Sequence, residues 1–461
     1  MKSLSRRKVL VGTLGVSASA LLARPYVAKA EAKTATVWFE QGFVRAEDEA
    51  AKRTVAAYEK VSGNKINASF TPFKALNQKA ISALTSGDVP DLIFHDAPTA
   101  ILPQNAWHNR LVDMSDVVAT QESKYSKTAL LSASFYNGTT KKRSYYMAPV
   151  KQNSAPYHVW SDLVQKAGFK MSDIPERWDD RWNFFKPVHE ALRKQGMRRT
   201  FGIGLQVTTV GPNDGNNLFY HFMIANGGEG LVSPDGELRT NDPKVREAAI
   251  HSVEFMTGLY KGGYVPPEAL SWNDADDNNA YHSKLFVMDF DGTLSTELAV
   301  IKKDPKGYHE QMKILNVGKR NDGSQMLCQV GAGGGFIPRG AKNVEVAKDF
   351  MKYFIQPKVM NENLKGGLGR WVPAIPQVVK DDSWWTDPKL DPFRSIYTKQ
   401  TVLEPTIPNW IGYNPALGQV NAEQVWGQAH ADVIKNGMKP KDAVAKAFKR
   451  TEEIFKKFSF G

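Results

Sequence analysis

Short runs rich in β-branched and aromatic residues alternate with longer runs of helical periodicity over residues 34–94, and this alternation restricts the possible folds more than any other feature. The predicted strands and helices, in chain order, are 34–39, 47–61, 65–70, 75–84 and 92–94. Strands separated by helices in this way predict a parallel sheet with helices on both faces. We therefore expect an α/β fold.

Polar side chains follow two of these predicted strands. Glu40 and Gln41 come directly after the first strand, and His95 and Asp96 follow the third. Ligands of such sheets bind beyond the carboxyl ends of the strands, so we expect these residues at a ligand site. Two alternatives remain open, because Asp96 could instead cap the next helix and Glu40 could pair with a surface arginine.

A second domain is predicted beyond residue 150, since 461 residues allow two or three domains of roughly 150 residues each. The polar segment 151–155 follows a strand-like run and is interpreted as a crossing into that domain. A strong strand is predicted over 285–290, and it ends in a turn that begins with Asp291 and Gly292. The glycine run 331–335 is interpreted as a second crossing, and the part that follows 355 is expected to be loop-rich as far as Pro415.

Residues 1–30 have the composition of an export signal. A basic start is followed by an apolar stretch over 9–23 that is too short to span a membrane, and Ala28 and Ala30 fit a cleavage site. Arg6 and Arg7 resemble the twin-arginine export signal, with an ordinary secretory signal as the alternative. We expect a periplasmic mature chain without a lipid anchor, because no cysteine follows the apolar stretch.

Charge and cysteine content exclude several classes of protein. The formal net charge is +12, but the first 30 residues carry six basic side chains and no acid, so their removal leaves +6. Basic residues downstream do not form a long run, and nucleic-acid binding is therefore not expected. Cys328 is the single cysteine, which excludes an intramolecular disulfide and a cysteine-based metal site.

An ordered series of short motifs resembles the extracellular solute-binding proteins of bacterial importers, in the maltose-binding-protein group. The matching segments, in the order of that family, are 86–92, 144–149, 157–168, Pro175 with Trp178, 226–228, 242–243, 262–265, 286–288, 334–338 and 347–350. The series covers most of the chain after the export signal. The main departure is a longer, loop-rich C-terminal part.

The resemblance implies the two-lobed periplasmic binding protein fold of type II, in which each lobe is a mixed, mainly parallel sheet flanked by helices. It places lobe 1 at 31–150 plus 328–357 and lobe 2 at 151–327 plus 358–461, joined by hinge segments. It also implies a receptor that delivers its solute to the permease subunits of an ABC transporter, and a monomer is the default expectation. No catalysis, cofactor or metal is expected.

A carbohydrate is the solute that the candidate residues suit best. Aromatic rings stack on sugar faces, whereas carboxylates and amides hydrogen-bond to the hydroxyl edges. The candidate ligand-binding residues are Trp38, Glu40, Gln41, Asp96, Asn153, Trp272, Asp291, Gly292, Gly335, Arg370, Trp371 and Trp410. Several have structural alternatives, such as core packing for the tryptophans and a plain turn role for Asp291.

Three motifs are rejected. The acidic run 274–278 is similar to a calcium loop, but positions six and twelve hold Asn279 and Leu285 instead of Gly and Glu. The run 331–335 lacks the spacing of a dinucleotide or phosphate loop. Tyr145 and Tyr146 do not suit a shared iron ion, because neighbouring residues of a strand point to opposite faces.

Alternatives to a carbohydrate receptor remain open. A sugar phosphate or sulfonated sugar would require a basic side chain such as Arg370, and a polyol or a polyamine is also compatible. A polyamine would require several acids without a neighbouring base. A secreted glycoside hydrolase would require two carboxyl groups about 5–9.5 Å apart at one ligand.

Overall fold

The strand–helix alternation predicted for residues 34–94 is confirmed in the computed structural model, which describes residues 33–211, 213–301, 303–458 and 460. The first strand buries every second side chain, as the period of a β-strand requires. The first helix ends at Gly63, whose φ of 78° lies in the left-handed region that glycine adopts without strain. The predicted export signal lies outside the described residues.

Strands and α-helices follow one another along the described residues. The strands are β1 (Thr34–Glu40), β2 (Lys65–Thr71), β3 (Leu92–His95), β4 (Ser134–Asn137), β5 (Lys142–Tyr145), β6 (Ala148–Asn153), β7 (Tyr157–Trp160), β8 (Phe201–Ile203), β9 (Phe286–Phe290), β10 (Met312–Leu315), β11 (Cys328–Phe336), β12 (Val372–Pro373) and β13 (Thr406–Pro408). The α-helices are α1 (Arg45–Ser62), α2 (Phe73–Ser86), α3 (Leu102–Trp107), α4 (Ser115–Val118), α5 (Lys127–Ala133), α6 (Ser161–Lys166), α7 (Trp178–Lys194), α8 (Asp214–Ala225), α9 (Pro243–Lys261), α10 (Asp276–His282), α11 (Ser295–Leu298), α12 (Val344–Phe354), α13 (Pro357–Gly366), α14 (Pro376–Asp381), α15 (Pro392–Thr398), α16 (Ala416–Ala422), α17 (Val425–Lys435) and α18 (Pro440–Phe455).

Two mixed sheets organise the chain. The first sheet has the strand order β12-β6-β11-β3-β1-β2, with β13 paired to β11, and the second has the order β10-β7-β9-β8. The pairs β1–β2, β1–β3 and β8–β9 are parallel, whereas β11 runs antiparallel to β3 and β6. The carboxyl ends of β1 and β3 therefore share one edge, and those of β8 and β9 share another.

Near residue 151, where the sequence predicts a crossing, β6 lies in the first sheet and β7 in the second. The second prediction is wrong: the glycine run 331–335 lies inside β11, in the middle of the first sheet. Its glycines allow close approach of the neighbouring backbone, since a Cβ on Gly334 would collide with the carbonyl of Ala148. The chain returns from the second sheet to the first between β10 and β11.

The C-terminal part differs from the expectation in two respects. Short helices, α13 to α15, occupy much of the region predicted to be loop-rich. Strands β12 and β13 join the first sheet and α13 packs on α1, so this part of 358–461 belongs with the first sheet rather than with lobe 2. Helices α17 and α18 pack on α9, which follows the second sheet's β8. The chain from Lys33 onward forms one compact unit, and the remaining lobe boundaries stay a prediction.

None of the described helices combines the length and the apolar character that a membrane span requires.

Two glycine substitutions test the packing of the first sheet. We expect Gly333→Ala to lower the free energy of unfolding by about 1–3 kcal/mol, because its Cβ would collide with the carbonyl of Asp96. Gly258→Ala in α9 is the control, since a Cβ there meets no described atom within 4 Å. The control should be neutral or stabilise by up to about 1 kcal/mol. Urea denaturation measures both, and an unchanged stability of Gly333→Ala would contradict the close approach.

Candidate functional site

The carboxyl ends of β1 and β3 bring Glu40 and Asp96 together. The backbone N–H of Asp96 donates to Oε2 of Glu40 at 2.9 Å. The two side chains are buried, with exposed fractions of 6% and 7%. The position of both acids follows from the parallel pairing of the two strands, as the alternation of elements predicts.

Two cationic side chains from distant parts of the chain neutralise this acidic edge. Lys151, on β6, forms an ion pair with Oδ1 of Asp96, and Nη2 of Arg370 lies 2.8 Å from Oδ2 of the same carboxylate. The Nε atom of Arg370 lies 2.9 Å from Oε2 of Glu47 in the first turn of α1. We call Glu40, Glu47, Asp96, Lys151 and Arg370 the first-sheet cluster.

The charges of the first-sheet cluster balance. Burial by itself would raise the pKa of Asp96, but Lys151 and Arg370 outweigh burial and lower it. Burial, with Asp96 as a neighbour, raises the pKa of Glu40 well above its ordinary value. The raised pKa favours the neutral form of Glu40, in which the two carboxylates of Glu47 and Asp96 balance the two cations.

His95 agrees with the neutral state of Glu40. Its Nδ1 lies 3.0 Å from Oε2 of Glu40, and burial lowers the pKa of His95 to about 4. Nδ1 of His95 accepts from the backbone N–H of Ala97 at 3.1 Å, so the neutral ring carries its proton on Nε2, which donates to Oδ1 of Asn77 at 3.2 Å. The Glu40–His95 contact therefore joins a neutral ring to a carboxyl group whose raised pKa favours its neutral form.

Trp371 covers the first-sheet cluster. The Nζ atom of Lys151 lies 4.8 Å from the centre of a Trp371 ring, and Cζ of Arg370 lies 5.1 Å from it. Trp371, Glu40, Asp96 and Lys151 line a cavity of about 40 Å³, together with apolar side chains such as Phe94. That volume suits a few water molecules, so a sugar ring requires the surrounding groups to move apart.

Five aspartates converge near the carboxyl ends of β8 and β9. Asp289 and Asp291 belong to β9 and the turn after it, Asp274 and Asp277 flank the start of α10, and Asp214 begins α8. Single oxygens of Asp214, Asp277 and Asp291 all lie within 4.8 Å of one another. We call these five residues the aspartate cluster.

The aspartate cluster crowds five largely buried carboxyl groups together. Burial is the main cause that raises the pKa of each member, and the neighbouring aspartates add to it. The pKa of Asp274 reaches about 6, because burial outweighs the backbone N–H groups of Asn213 and Asp214 that donate to it. His158 lowers the pKa of Asp291, but burial dominates and the pKa is raised.

Hydrogen bonds connect the edges of the two sheets. Nη1 of Arg370 donates to Oγ of Ser295 at 3.0 Å and lies 3.4 Å from Oγ1 of Thr293, shortly after Asp291. Thr99, which follows β3, donates from Oγ1 to Oδ1 of Asn213 at 3.0 Å. Arg370 therefore binds groups of both sheets at once, and the two clusters belong to one interface.

The structure brings together about half of the candidate residues named from the sequence. Glu40, Asp96, Arg370 and Trp371 meet in the first-sheet cluster. Asp291 belongs to the aspartate cluster, and the amide of Asn153 lies against the adjacent Gly292.

The other candidates lie elsewhere. Trp38 is covered by Nζ of Lys79 at 3.6 Å, and Gln41 is exposed. The ring of Trp272 packs on Phe286 at the start of β9, and Trp410 packs on Tyr220 in the core. Gly335 contacts Met351 of α12. These placements support the packing alternative for the two tryptophans Trp272 and Trp410.

Several site residues were missed by sequence reasoning. They are Glu47, Lys151, Gln206, Asp214 and Asp277. Gln206 follows β8, so the rule on carboxyl ends of parallel strands could have found it. Asp277 stood in the rejected calcium-like run, because that pattern compares positions along the chain and not across elements.

Two sheets linked by crossing segments, with polar clusters where they meet, define the periplasmic binding protein fold. Solved structures share it. A solute-binding protein of an ABC transporter from Thermotoga lettingae TMO, bound with α-D-tagatose, has 20% identity and a TM-score of 0.73 over 92% of this chain and 100% of its own. The GacH receptor of Streptomyces glaucescens GLA.O, known unliganded and with acarbose, has 18% identity and a TM-score of 0.70 over 93% and 100%. The maltotriose-binding protein of Thermus thermophilus, bound with maltotriose, has 19% identity and a TM-score of 0.66 over 91% and 100%.

The family assignment comes from the sequence profile described as bacterial extracellular solute-binding protein, which matches residues 53–392. The chain belongs to this family. No curated protein matches it in a sequence search.

Proposed function

We propose that this protein is the periplasmic receptor of a bacterial ABC importer and that it binds a small carbohydrate between its two sheets without chemical turnover. The observation that carries the proposal is the buried interface at the strand ends, where Arg370 connects the first-sheet cluster to the second sheet. Ligands of two-lobed binding proteins are held at such an interface, which closes around them. The monomeric receptor then delivers its solute to the permease subunits.

Carbohydrate suits this interface better than an anion. Trp371 supplies an aromatic face, and the acids and amides supply acceptors and donors for hydroxyl groups. The three structural neighbours carry tagatose, acarbose or maltotriose, which supports the same class. A sugar phosphate or sulfonated sugar is disfavoured, because each nitrogen of Arg370 already faces an oxygen of this chain.

A glycoside hydrolase is also disfavoured. Its two carboxyl groups must include one that is free to attack or to activate water. Asp96 is held by Lys151 and Arg370, and Oε2 of Glu40 accepts from the N–H of Asp96 and lies against His95. A polyamine receptor stays a second candidate, because the aspartate cluster offers several acids for a cationic solute.

A thermal-shift panel tests the class of solute. We expect one member of a series of mono- and oligosaccharides and polyols to raise Tm by several degrees at saturating excess, since a ligand that binds only the folded state stabilises it. Phosphorylated sugars, sulfonated sugars and polyamines are the comparison ligands. The proposal would be overturned if only the comparison ligands raised Tm. It would also be overturned if the sugar that raises Tm were converted to product.

Two tryptophan variants locate the site. Trp371→Ala should lower the affinity for the sugar that raises Tm at least tenfold, as measured by titration calorimetry, because the indole covers the first-sheet cluster. Trp107→Ala is the matched control, since Trp107 packs on Phe458 and Tyr136. The control should keep the affinity even where it lowers Tm. Equal loss in both variants would contradict this location.

A further inference from the structure

We propose that the aspartate cluster is a cation site and that its oxygen donors suit a hard divalent cation, Ca²⁺. Asp214, Asp277 and Asp291 supply the carboxylates, and the amide of Gln206 adds a neutral oxygen. Calcium takes oxygen ligands at about 2.3–2.6 Å, so two ligands on opposite sides of the ion are separated by about 4.6–5.2 Å. The separations within 4.8 Å among the three carboxylates match that size.

Gln206 is independent evidence for a ligand at this place. Its side chain is 2% exposed, and neither amide atom has a hydrogen-bond partner among the described residues. The amide is a neighbour of the Asp277 carboxylate, although the contact lacks hydrogen-bonding geometry. A buried amide without a hydrogen-bond partner is unfavourable, and its oxygen is a ligand that a calcium ion beside Asp277 would take.

Unsatisfied carboxylate oxygens point to the same conclusion. Within the described part of the chain, Oδ2 of Asp277 and Oδ2 of Asp289 are buried without a hydrogen-bond partner. Asp291, by contrast, accepts from Nδ2 of Asn278 at 2.6 Å and from the N–H of Gly292 at 2.6 Å. A divalent cation at this position would compensate the negative charge of the carboxylate oxygens that lack a hydrogen-bond partner.

Asp274 positions the site without serving as a ligand. Its carboxylate accepts from the backbone N–H groups of Asn213 and Asp214 at 3.1 and 3.3 Å, and from Nδ2 of Asn213 at 3.1 Å. These bonds hold the start of α8 against α10, and so hold Asp214 near Asp277. The ligands come from three elements, which explains why the spacing of the run 274–278 does not reveal the site.

The charge of the cluster favours a divalent ion over the ammonium group of a solute. Several carboxylates surround the position, and a single positive charge would leave more of their repulsion uncompensated. Asp277 and Gln206 are also buried, with exposed fractions of 0% and 2%, so the carbon chain of an organic cation would need additional space. A calcium ion and an ammonium group would both bind to carboxylates, and the experiment distinguishes between them.

Calcium should stabilise the purified, chelator-treated protein in a way that depends on Asp277. At a calcium concentration about a hundred times Kd, we expect Tm to rise by a few degrees. Asp277→Asn should remove the calcium shift and should itself raise Tm in chelator, because it removes one of the crowded charges. Asp276→Asn, whose carboxylate accepts from the N–H of Asn273 at the surface, is the matched control and should keep the calcium shift.

Terbium luminescence gives a second readout that does not depend on the variants' stability. Tb³⁺ should bind the wild-type protein and be displaced by Ca²⁺, and Asp277→Asn should lower its affinity at least tenfold. A calcium shift that survives Asp277→Asn would overturn the proposal. So would a response to spermidine or glucosamine without any response to calcium, which would assign the cluster to an organic cation. The sugar panel is read separately, so failure of the calcium proposal leaves the proposed carbohydrate function untouched.

Discussion

Replacing Arg370 by methionine should lower the free energy of unfolding by about 3–5 kcal/mol, the loss expected when one partner of a buried ion pair is removed. Arg370 is 7% exposed, and its three nitrogens face Glu47, Asp96, Ser295 and Thr293. Without the guanidinium, Glu47 loses its cationic partner, and Asp96 keeps only Lys151. Methionine fills part of the volume, so the loss measures charge more than packing.

Urea denaturation followed by circular dichroism measures this loss. Arg45→Ala is the control, because the Arg45 side chain is 89% exposed and its ion pair with Glu49 spans 3.9 Å. It should change stability by less than about 0.5 kcal/mol. Glu47→Gln combined with Arg370→Met should recover part of the loss, since it removes one of the unpaired charges. If the free energy of unfolding of Arg370→Met lay within about 1 kcal/mol of wild type, as for a surface substitution, Arg370 would not join the two sheets.

Asp289→Asn should raise the free energy of unfolding by about 1–3 kcal/mol at pH 7 in the presence of chelator. Asp289 is 1% exposed, and burial together with Asp277 and Asp291 raises its pKa well above the ordinary value. Asparagine keeps the acceptor for the N–H of Phe290, which Oδ1 of Asp289 binds at 2.9 Å, and removes the charge. The gain therefore comes from removing a buried acidic group and its repulsion with neighbouring aspartates.

The pH dependence of this gain follows from the direction of the pKa shift. A carboxyl group whose folded pKa is raised is favourable to folding below its unfolded pKa of about 4, and that contribution is lost as pH rises through the folded pKa. The difference between Asp289→Asn and wild type should thus be small at pH 4 and grow toward pH 7. Denaturation at both pH values, with Asp276→Asn as control, measures the difference. A gain of equal size at pH 4 would show that the ionisation of Asp289 is not its cause.

The beginning of the chain could be predicted well because its signals are local. Alternating burial in β1 and the glycine that ends α1 follow from residues within a few positions, and so does the placement of Glu40 and Asp96 after their strands. The run 331–335 was misjudged for the opposite reason. Glycines favour a turn locally, but in this sheet they admit the backbones of β3 and β6 on both sides of β11.

The C-terminal part shows the same limit. Its proline- and tryptophan-rich sequence resembles loop, yet β12 and β13 complete the first sheet by pairing with β6 and β11, which lie far away along the chain. The residues that flank Trp410 and Trp272 in the sequence are as compatible with a ligand site as those that flank Trp371. Only packing distinguishes them, because aromatic rings of the core cover the first two, whereas Trp371 lies over Lys151.

The sequence by itself determined the α/β class, the order of the elements over residues 34–94 and the acids at the strand ends, because each depends on periodicity or on neighbours along the chain. The tertiary structure alone decided which charges meet. Arg370 and Glu47 are 323 positions apart, and Asp214, Asp277 and Asp291 come from different elements. Electrostatic interaction depends on distance in space and on burial, and neither can be read from spacing along the chain.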